Sequence, residues 1–358
     1  MKRFNTPLTK EAAKSLLALD LEDKVITSYE KLDEWYTAWG GQCYVSFSGG
    51  KDSTVLAYLA ARYLSSFRTP PWSLNLVFVN TGLEYPEIQK FAMSQKNVVT
   101  VRPEMRFDEV IKKYGYPVVS KEVAQTVYEI KHSKSETKLK TIRMKKLNGE
   151  LLDKNGNKSR YNCEKWKFLL DVPFDISDKC CGVMKKRPAK LYGKQTGRKP
   201  IVGTLASESM LRNQLWKKYG CNAFDKKEPT SQPLSFWTEQ DILHYIKKYD
   251  VPYCPVYGDI IPVSEEEQCK GQISSFDILK DYENTDLKTT GCDRTGCIFC
   301  MFGCHLEKEP NRFQRLKETH PRQYEYCIGG GEMVDGKWQP NKEGLGLGKV
   351  LDYINVKY

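Results

Sequence analysis

The residues best suited to chemistry lie in a serine- and glycine-rich stretch, SFSGGKDST at residues 46–54. Gly49 and Gly50 let backbone N–H groups approach a ligand closely. Lys51 adds a cation, and Asp52 can share a magnesium ion with phosphate oxygens. Hydroxyl donors come from Ser48, Ser53 and Thr54. The first glycine and the final Ser/Thr of a Walker A loop are absent, so we predict an anion-binding loop of another kind.

Strand and helix patterns alternate around this loop. YVSF precedes it and STVLAYLAARYL follows it with helical spacing, which gives a strand, a glycine turn and a helix. Further apolar strands are predicted at 74–80, 98–103 and 199–206. The alternation predicts an α/β fold, with a Rossmann-like parallel sheet and helices on both faces. Ligands of such sheets bind at the carboxyl ends of the strands, where the loop lies.

The chain is predicted to have three parts. Residues 1–41 form N-terminal helices, 42–228 form the α/β domain, and 229–358 form a helical lobe with a glycine-rich, irregular tail. A polar insertion at 131–165 is predicted to contain a hairpin around Asn155 and Gly156. In the C-terminal lobe, Thr238 and Asp241 have the spacing of a helix capping box.

Charge and composition limit the class of protein. The net charge of +11 favours anionic partners such as nucleotides or nucleic acid, or it reflects a solvated basic surface. The N-terminal residues lack a secretory signal and no apolar run is long enough to cross a bilayer, so we expect a cytoplasmic protein without a membrane partner. The twelve cysteines in such a protein favour metal binding or catalysis over disulfides.

Two groups of cysteines have the spacing of metal ligands. Cys180 and Cys181 are adjacent, and the second group lies in TTGCDRTGCIFCMFGCHLE. A C-x-x-C among glycines suits zinc or an iron–sulfur cluster. A local site would use Cys292, Cys297, Cys300 and Cys304 or His305, whereas a split site would join the adjacent pair to the C-x-x-C. The remaining thiols without partners at ligand spacing are interpreted as core or incidental: Cys43, Cys163, Cys221, Cys254 and Cys269.

The motifs together resemble a known family. SGGKDS is similar to the PP-loop of the ATP pyrophosphatases, also called adenine nucleotide alpha hydrolases, which have a Rossmann-like HUP fold. VFVNTGLEYPE, VGTLASESMLR and PLSFWTEQDILHYI resemble elements of the phosphoadenosine phosphosulfate (PAPS) reductase branch. The resemblance implies that the loop grips the β,γ-pyrophosphate of ATP with magnesium. The α-phosphorus is then attacked, which gives AMP and pyrophosphate.

Site residues follow from this resemblance. It implies catalytic roles for Lys51, Asp52, Arg212 and Cys327. It also implies nucleotide binding by Ser46, Ser48, Gly49, Gly50, Lys51, Asp52, Ser53, Thr54, Asn80, Thr81, Gly82, Gly203, Glu208 and Ser209. One family arginine is replaced by Leu205, which removes an expected phosphate or sulfate contact. The ECG-[IL]-H segment of the sulfonucleotide reductases is absent, and Cys327 is the nearest substitute.

The resemblance also favours the split cysteine site. A CC pair upstream of a C-x-x-C is the [4Fe–4S] pattern of iron–sulfur adenylylsulfate reductases, and the sulfur-inserting component of DNA phosphorothioation combines this domain with a cluster. It implies Cys180, Cys181, Cys297 and Cys300 as ligands, with Cys292 and Cys304 as alternates and zinc as the alternative metal. Implied partners are a nucleic-acid or small-metabolite acceptor, a cysteine desulfurase or thiol reductant as donor, and a second copy in a homo-oligomer.

Three functions fit these observations. The intact SGGKDS favours ATP cleavage at the α-phosphate coupled to sulfur transfer at the cluster. The second is a sulfonucleotide reductase that releases sulfite from adenylylsulfate (APS) or PAPS. The third is a non-catalytic regulator that senses a nucleotide and binds DNA.

Overall fold

A computed structural model describes residues 7–68, 74–133, 138–263 and 285–358; Cys269 lies outside these residues. The chain forms two compact units, each assembled from three stretches. Unit 1 comprises Met1–Asn80, Glu84–Val101 and Ala189–Thr295, and unit 2 comprises Thr81–Leu83, Arg102–Pro188 and Gly296–Tyr358. This interleaved division does not follow the predicted linear boundaries at residues 41 and 228.

The strands are short and are numbered here along the chain. They are β1 (Cys43–Phe47), β2 (Asn75–Val79), β3 (Val98–Val101), β4 (Val118–Val119), β5 (Lys199–Val202), β6 (Asn222–Ala223), β7 (Thr230–Ser231), β8 (Ile260–Pro262), β9 (Leu287–Thr289), β10 (Met301–Phe302), β11 (Glu332–Val334) and β12 (Lys337–Gln339). Unit 1 is built on a sheet of order β3-β2-β1-β5-β7-β6. Its neighbours pair in parallel except β6 and β7, so the predicted mostly parallel sheet of an α/β fold is confirmed.

Helices accompany the sheet of unit 1. They are Lys10–Leu17, Leu21–Ala38, Lys51–Phe67, Pro86–Ser94, Met210–Tyr219 and Glu239–Lys248, and the helix Arg187–Thr196 enters this unit from unit 2. The predicted capping box is present, because Asp241 N–H donates to Thr238 Oγ1 (3.2 Å) and Thr238 N–H donates to Asp241 Oδ2 (2.6 Å). A proline in the first turn of Pro86–Ser94 suits a position whose N–H has no partner within the helix.

The core of unit 1 ties the N-terminal helices to the C-terminal half of the unit. Trp35 and Trp237 are fully buried in one apolar cluster with residues of β1. Trp237 Nε1 donates to Ser28 Oγ at 2.9 Å, so the buried indole keeps a polar partner. Lys24 pairs with Asp241 at 2.8 Å in the same region. These contacts hold the helix Glu239–Lys248 in the sheet-containing unit.

Unit 2 is mainly helical and contains two small pairs of strands. Its helices are Phe107–Tyr114, Lys121–His132, Lys138–Asn148, Arg312–Thr319, Pro321–Ile328 and Leu347–Tyr353, with shorter turns at Glu164–Leu170, Gly182–Lys186 and Cys304–Leu306. β4 and β10 pair in parallel, and β11 and β12 pair antiparallel. In the polar insertion, Leu152 and Lys158 form the bridge of the predicted hairpin.

The glycine-rich tail is more regular than its composition predicts. It contains the β11–β12 hairpin and the helix Leu347–Tyr353. Trp338 Nε1 donates to the carbonyl of Gly346 at 2.9 Å, and Leu347 and Leu351 are completely buried. These apolar contacts order a segment whose many glycines alone favour irregular backbone. Nowhere in the described ranges is there a helix with the length and apolar character that crossing a membrane requires.

Candidate active site and cysteine cluster

The phosphate loop (residues 48–54) follows β1 and includes the first turn of the helix Lys51–Phe67, here called the loop helix. Gly49 has a φ of 74°, in the left-handed region that favours glycine. Gly50 is the N-cap of the loop helix and has extended backbone. The loop therefore ends at a helix N-terminus, where unsatisfied N–H groups and the helix dipole favour an anion.

Hydroxyl groups stabilise the turn from inside. Ser48 Oγ lies 3.0 Å from Ser53 Oγ, and Ser53 Oγ donates to the carbonyl of Gly50 at 2.9 Å. Thr54 Oγ1 donates to the same carbonyl at 3.0 Å. Ser46 lies one position before the end of β1 and is paired there with strand residues of the sheet. In this arrangement the predicted hydroxyl donors fix the loop, and a ligand would compete with these internal bonds.

The neighbouring strand β5 brings Gly203 against the loop. A Cβ on Gly203 would lie 3.0 Å from the carbonyl oxygen of Asp52, tighter than nine in ten Cβ contacts. Glycine suits this position because the backbone after β5 approaches the backbone of the loop helix directly. This contact places the end of β5 beside the phosphate loop, as expected for the carboxyl edge of a parallel sheet.

The three predicted nucleotide-binding residues that follow β2 are divided between the two units. Asn80 is the last residue of its stretch in unit 1, where it is buried and its N–H donates to the carbonyl of Val101 at 2.9 Å. Thr81 and Gly82 belong to unit 2, where Thr81 Oγ1 accepts a hydrogen bond from Leu83 N–H at 3.1 Å. The structure thus places Asn80 with the loop in one unit, and the roles of Thr81 and Gly82 stay predictions.

Lys51 is buried and its hydrogen-bonding groups are engaged. Its ammonium lies 2.9 Å from the carboxylate of Glu239 and donates to the carbonyl of Asp293 at 2.8 Å. Its backbone N–H donates to the hydroxyl of Tyr257 at 3.1 Å, and that hydroxyl lies 2.6 Å from Thr295 Oγ1. Burial raises the pKa of Tyr257 to about 12, so its hydroxyl stays protonated at neutral pH. An anion that binds Lys51 must compete with these groups.

Asp52 is the most unusual titratable group of the loop. Its Oδ1 is buried, and no hydrogen-bond partner for it exists among the residues that the structure describes. Burial raises the pKa of Asp52, and Glu239 adds to the rise, whereas Lys51, Arg294 and Arg212 lower it. A buried carboxylate oxygen without a donor is costly, and a titratable group perturbed in this way is a candidate for a ligand or ion site.

Two arginines meet at Glu208, which follows β5. Arg212 forms an ion pair with Glu208, and Arg294 Nη1 lies 4.0 Å from the other oxygen of that carboxylate. Ser209 caps the next helix, because its hydroxyl accepts the N–H of Arg212 at 3.2 Å. Leu205, which stands where the family motif has an arginine, is buried in the core.

The four cysteines of the predicted split site all lie in unit 2. Cys180 donates a hydrogen bond to Cys181 with their sulfurs 3.9 Å apart. The pKa of Cys180 is raised, first by this bond and by burial, and also by the charges of Cys300 and Cys297. The thiols of Cys181, Cys297 and Cys300 therefore all lie within electrostatic reach of Cys180. Across the described ranges, no three His, Cys, Asp or Glu residues are arranged to hold one metal ion.

The surroundings of Cys181 favour its thiolate form. Its pKa is lowered, first by the hydrogen bond from Cys180 and then by the charges of three lysines, against the opposing effect of burial. These lysines are Lys121, Lys185 and Lys186. Thiolates are the form that attacks electrophiles and binds metals. Lys185 and Lys186 belong to the basic run that follows the CC pair in sequence, whereas Lys121 comes from a helix about 60 residues earlier.

The remaining candidate cysteines have different surroundings. Cys304 is buried in unit 2 and donates to the carbonyl of Met301 at 3.0 Å, and burial raises its pKa to about 12. Cys292 belongs to unit 1. Cys327 lies in the helix Pro321–Ile328 with no exposed surface, and burial raises its pKa. In this arrangement a nucleophilic attack by Cys327 would require the helix to move. Cys43, Cys221 and Cys254 are buried in unit 1, and Cys163 in unit 2 is partly buried.

Comparisons with known proteins identify the family. The sequence profile of the phosphoadenosine phosphosulfate reductase domain matches residues 42–149 and 119–302, which is more than half of the chain. The chain belongs to the PAPS reductase domain family. This PAPS reductase-family domain indicates an enzyme of the sulfonucleotide-related PP-loop kind.

One curated protein and one solved structure are similar to parts of this chain. Sulfate adenylyltransferase subunit 2 of Maricaulis maris (strain MCS10) is 35% identical over 91 residues, which span 24% of this chain and 29% of that protein. The crystal structure of PAPS reductase from Candida auris, in complex with phosphate, aligns with 15% identity and a TM-score of 0.33 over 79% of this chain and all of that one.

Proposed function

We propose that this PAPS reductase-family protein binds ATP at the phosphate loop and promotes attack of an acceptor oxygen on the α-phosphorus, with release of pyrophosphate. A sulfur nucleophile supplied through the cysteines of unit 2 would then attack the adenylylated acceptor and displace AMP. The observation that carries the proposal is Asp52, a buried carboxylate at a helix N-terminus whose Oδ1 has no partner among the described residues. An intact SGGKDS sequence supports ATP over a substrate that lacks a β,γ-pyrophosphate.

Asp52 fits a magnesium site of the kind that nucleotides complete. Mg²⁺ is commonly held by one or two carboxylates together with phosphate oxygens, and a single free carboxylate oxygen meets that need. Asp52 would hold the ion, which neutralises charge on the phosphates when bound. Lys51 and Arg212 would add positive charge around the same carboxylate, since both already act on its pKa.

The residues of the loop would favour cleavage of the bond between the α- and β-phosphates of ATP. The N–H groups at the start of the loop helix suit the pyrophosphate, which carries most of the charge of ATP. Lys51 would exchange its contacts with Glu239 and Asp293 for phosphate oxygens. Donors that stabilise the departing pyrophosphate act where negative charge develops, so they favour cleavage between the α- and β-phosphates.

An iron–sulfur cluster at Cys180, Cys181, Cys297 and Cys300 is part of the proposal. Zinc, which needs three or four ligands around one point, is the alternative metal for these cysteines. A polynuclear cluster binds each thiolate through a different iron, and it supplies redox or sulfur chemistry when present. Support comes from the electrostatic influence of the other three thiols on Cys180 and from the lowered pKa of Cys181.

Nucleic acid is the acceptor class that we propose. By sequence, unit 2 contains 30 Lys and Arg against 20 Asp and Glu, a net charge of +10, whereas unit 1 contains 26 against 25. Two aromatic rings in unit 2 lie beneath cations: Arg160 lies over Tyr161 (5.1 Å) and Lys165 over the half-buried Trp166 (4.7 Å). Tyr161 is 52% exposed, and a base that stacks on its ring would compete with the cations that lie over it, Arg160 and Lys146.

Anaerobically purified protein tests the proposal. It is mixed with Mg·ATP and single-stranded or duplex oligonucleotides, and pyrophosphate is measured. Acceptor-dependent pyrophosphate release that is lost in Asp52→Asn supports the proposal. Sulfite release from APS or PAPS without use of ATP would instead identify a sulfonucleotide reductase. Nucleotide binding without turnover, together with salt-dependent DNA binding, would identify the regulator. A brown protein whose visible absorption is lost in Cys180→Ser would support the cluster.

A further inference from the structure

We propose that Arg294 is a nucleotide-binding residue that acts with Arg212 as a pair of guanidinium groups for the phosphate or sulfate groups of the substrate. The inference deepens the proposed function and rests on it for the identity of the nucleotide. Arg294 lies far from the loop in sequence, in the segment TGCDRTGC, where only the cysteines suggest chemistry. The fold of unit 1 nevertheless holds this arginine beside the phosphate loop.

Contacts on both sides anchor Arg294 beside the loop helix. The preceding residue, Asp293, accepts a hydrogen bond from the ammonium of Lys51 at 2.8 Å. The following residue, Thr295, lies 2.6 Å from the hydroxyl of Tyr257, which accepts the backbone N–H of Lys51 at 3.1 Å. Since each neighbour of Arg294 is connected to the first residue of the loop helix, the backbone of Arg294 is held at the phosphate loop.

The charge around this position favours an anion. Arg294 and Arg212 share the carboxylate of Glu208, and both act on the buried carboxylate of Asp52. Burial lowers the pKa of Arg212, and the like charge of Arg294 lowers it further. The two guanidinium groups therefore repel each other. A phosphate or sulfate placed between them would relieve this repulsion and would accept hydrogen bonds from both.

Arg294 can reach a ligand at low cost. Its side chain is 66% exposed, so its guanidinium group remains largely hydrated and can turn onto a bound anion without leaving a buried partner. Leu205, by contrast, occupies the position of the family arginine and is buried in the apolar core, where it offers no charge. Arg294 thus supplies from a different segment a cation that the G-x-R-x-x-ES element lacks in this chain.

The test measures the affinity of the full chain for ATP, APS, PAPS, AMP and adenosine by calorimetry. Variants are Arg294→Ala and Arg294→Lys, and Arg322→Ala serves as a control, because Arg322 is an exposed arginine of unit 2. We expect Arg294→Ala to weaken ATP binding about tenfold, equivalent to about 1.4 kcal/mol, with adenosine affinity unchanged. Arg294→Lys should recover part of the loss, because it keeps the charge without the planar fork of donors.

The outcomes separate this inference from the proposed function. If wild-type protein binds ATP with dependence on Arg294 but releases no pyrophosphate, the binding role stands and the reaction proposed above fails. A larger effect of Arg294→Ala on APS or PAPS than on ATP would assign the guanidinium pair to a sulfonucleotide. Equal losses for ATP and adenosine, unchanged ATP affinity in Arg294→Ala, or no nucleotide binding by wild-type protein would each overturn the inference.

Discussion

Replacing Asp52 by asparagine should make the protein more stable and less active at once. The substitution conserves volume and removes a buried charge whose Oδ1 has no hydrogen-bond partner among the described residues. An unsatisfied buried group costs about 1–3 kcal/mol, and more when it is charged. Lys51, Arg212 and Arg294 partly offset the charge of Asp52. We therefore expect a gain at the lower end of this energy range, about 1 kcal/mol of added stability at pH 7.

The effect should depend on pH in a defined direction. Burial raises the pKa of Asp52, so the folded state favours its protonated form. Protonated Asp52 therefore stabilises the wild-type protein at low pH. This contribution is lost as the pH rises from the pKa of Asp52 in the unfolded chain through its higher pKa in the folded protein. Asp52→Asn cannot ionise, so its advantage should be small at the acidic end of that window and complete above it.

Thermal unfolding without nucleotide measures the gain, and pyrophosphate release measures the loss of function. A gain of about 1 kcal/mol corresponds to a rise in Tm of about 2–4 °C for a unit of this size. Asp259→Asn is a matched control, because Asp259 is exposed in the same unit. A variant that is less stable than wild type at pH 7, or that still releases pyrophosphate at the wild-type rate, would refute this interpretation of Asp52.

Three other substitutions test the site. Glu239→Gln removes the half-exposed carboxylate that competes for Lys51. Calorimetry should show that the affinity for ATP rises about two- to fivefold, which is the size of effect expected from losing a weak ion pair. A lower affinity would contradict this prediction. Gly203→Ala places a methyl group against the backbone of Asp52 and should cost about 1–3 kcal/mol in denaturant unfolding, whereas an unchanged midpoint would show that the loop yields. Lys121→Ala should raise the pKa of Cys181 and slow its alkylation at neutral pH, as peptide mapping can measure; an unchanged rate would exclude this role of the lysine.

The elements that carry strong local patterns were predictable from the sequence. β1, the phosphate loop and the loop helix follow from four β-forming residues, two glycines and a helical apolar spacing. The capping box at Thr238 and Asp241 is also a local signal, because its two partners are three residues apart. Strand order became clear only from the structure, since pairing joins residues distant in the chain.

The surroundings of the loop could not be predicted in the same way. Tyr257, Glu239 and Arg294 come from segments about 190 to 240 residues after the loop, and no short spacing connects them to it. The tail was predicted to be irregular because its glycines suggested free backbone, yet Trp338 and Leu347 pack against neighbouring residues. Tertiary contacts, rather than local composition, thus determine the surroundings of the loop and the regular structure of the tail.

The central claim is that the loop directs cleavage to the α-phosphorus of ATP. It is tested most directly by incubating anaerobically purified protein with Mg·ATP labelled at the α-phosphorus and an oligonucleotide acceptor, and separating the labelled products. The account predicts labelled AMP or an adenylylated acceptor, with one pyrophosphate for each. Labelled ADP with free phosphate, or ATP left intact while APS or PAPS yields sulfite, would contradict it.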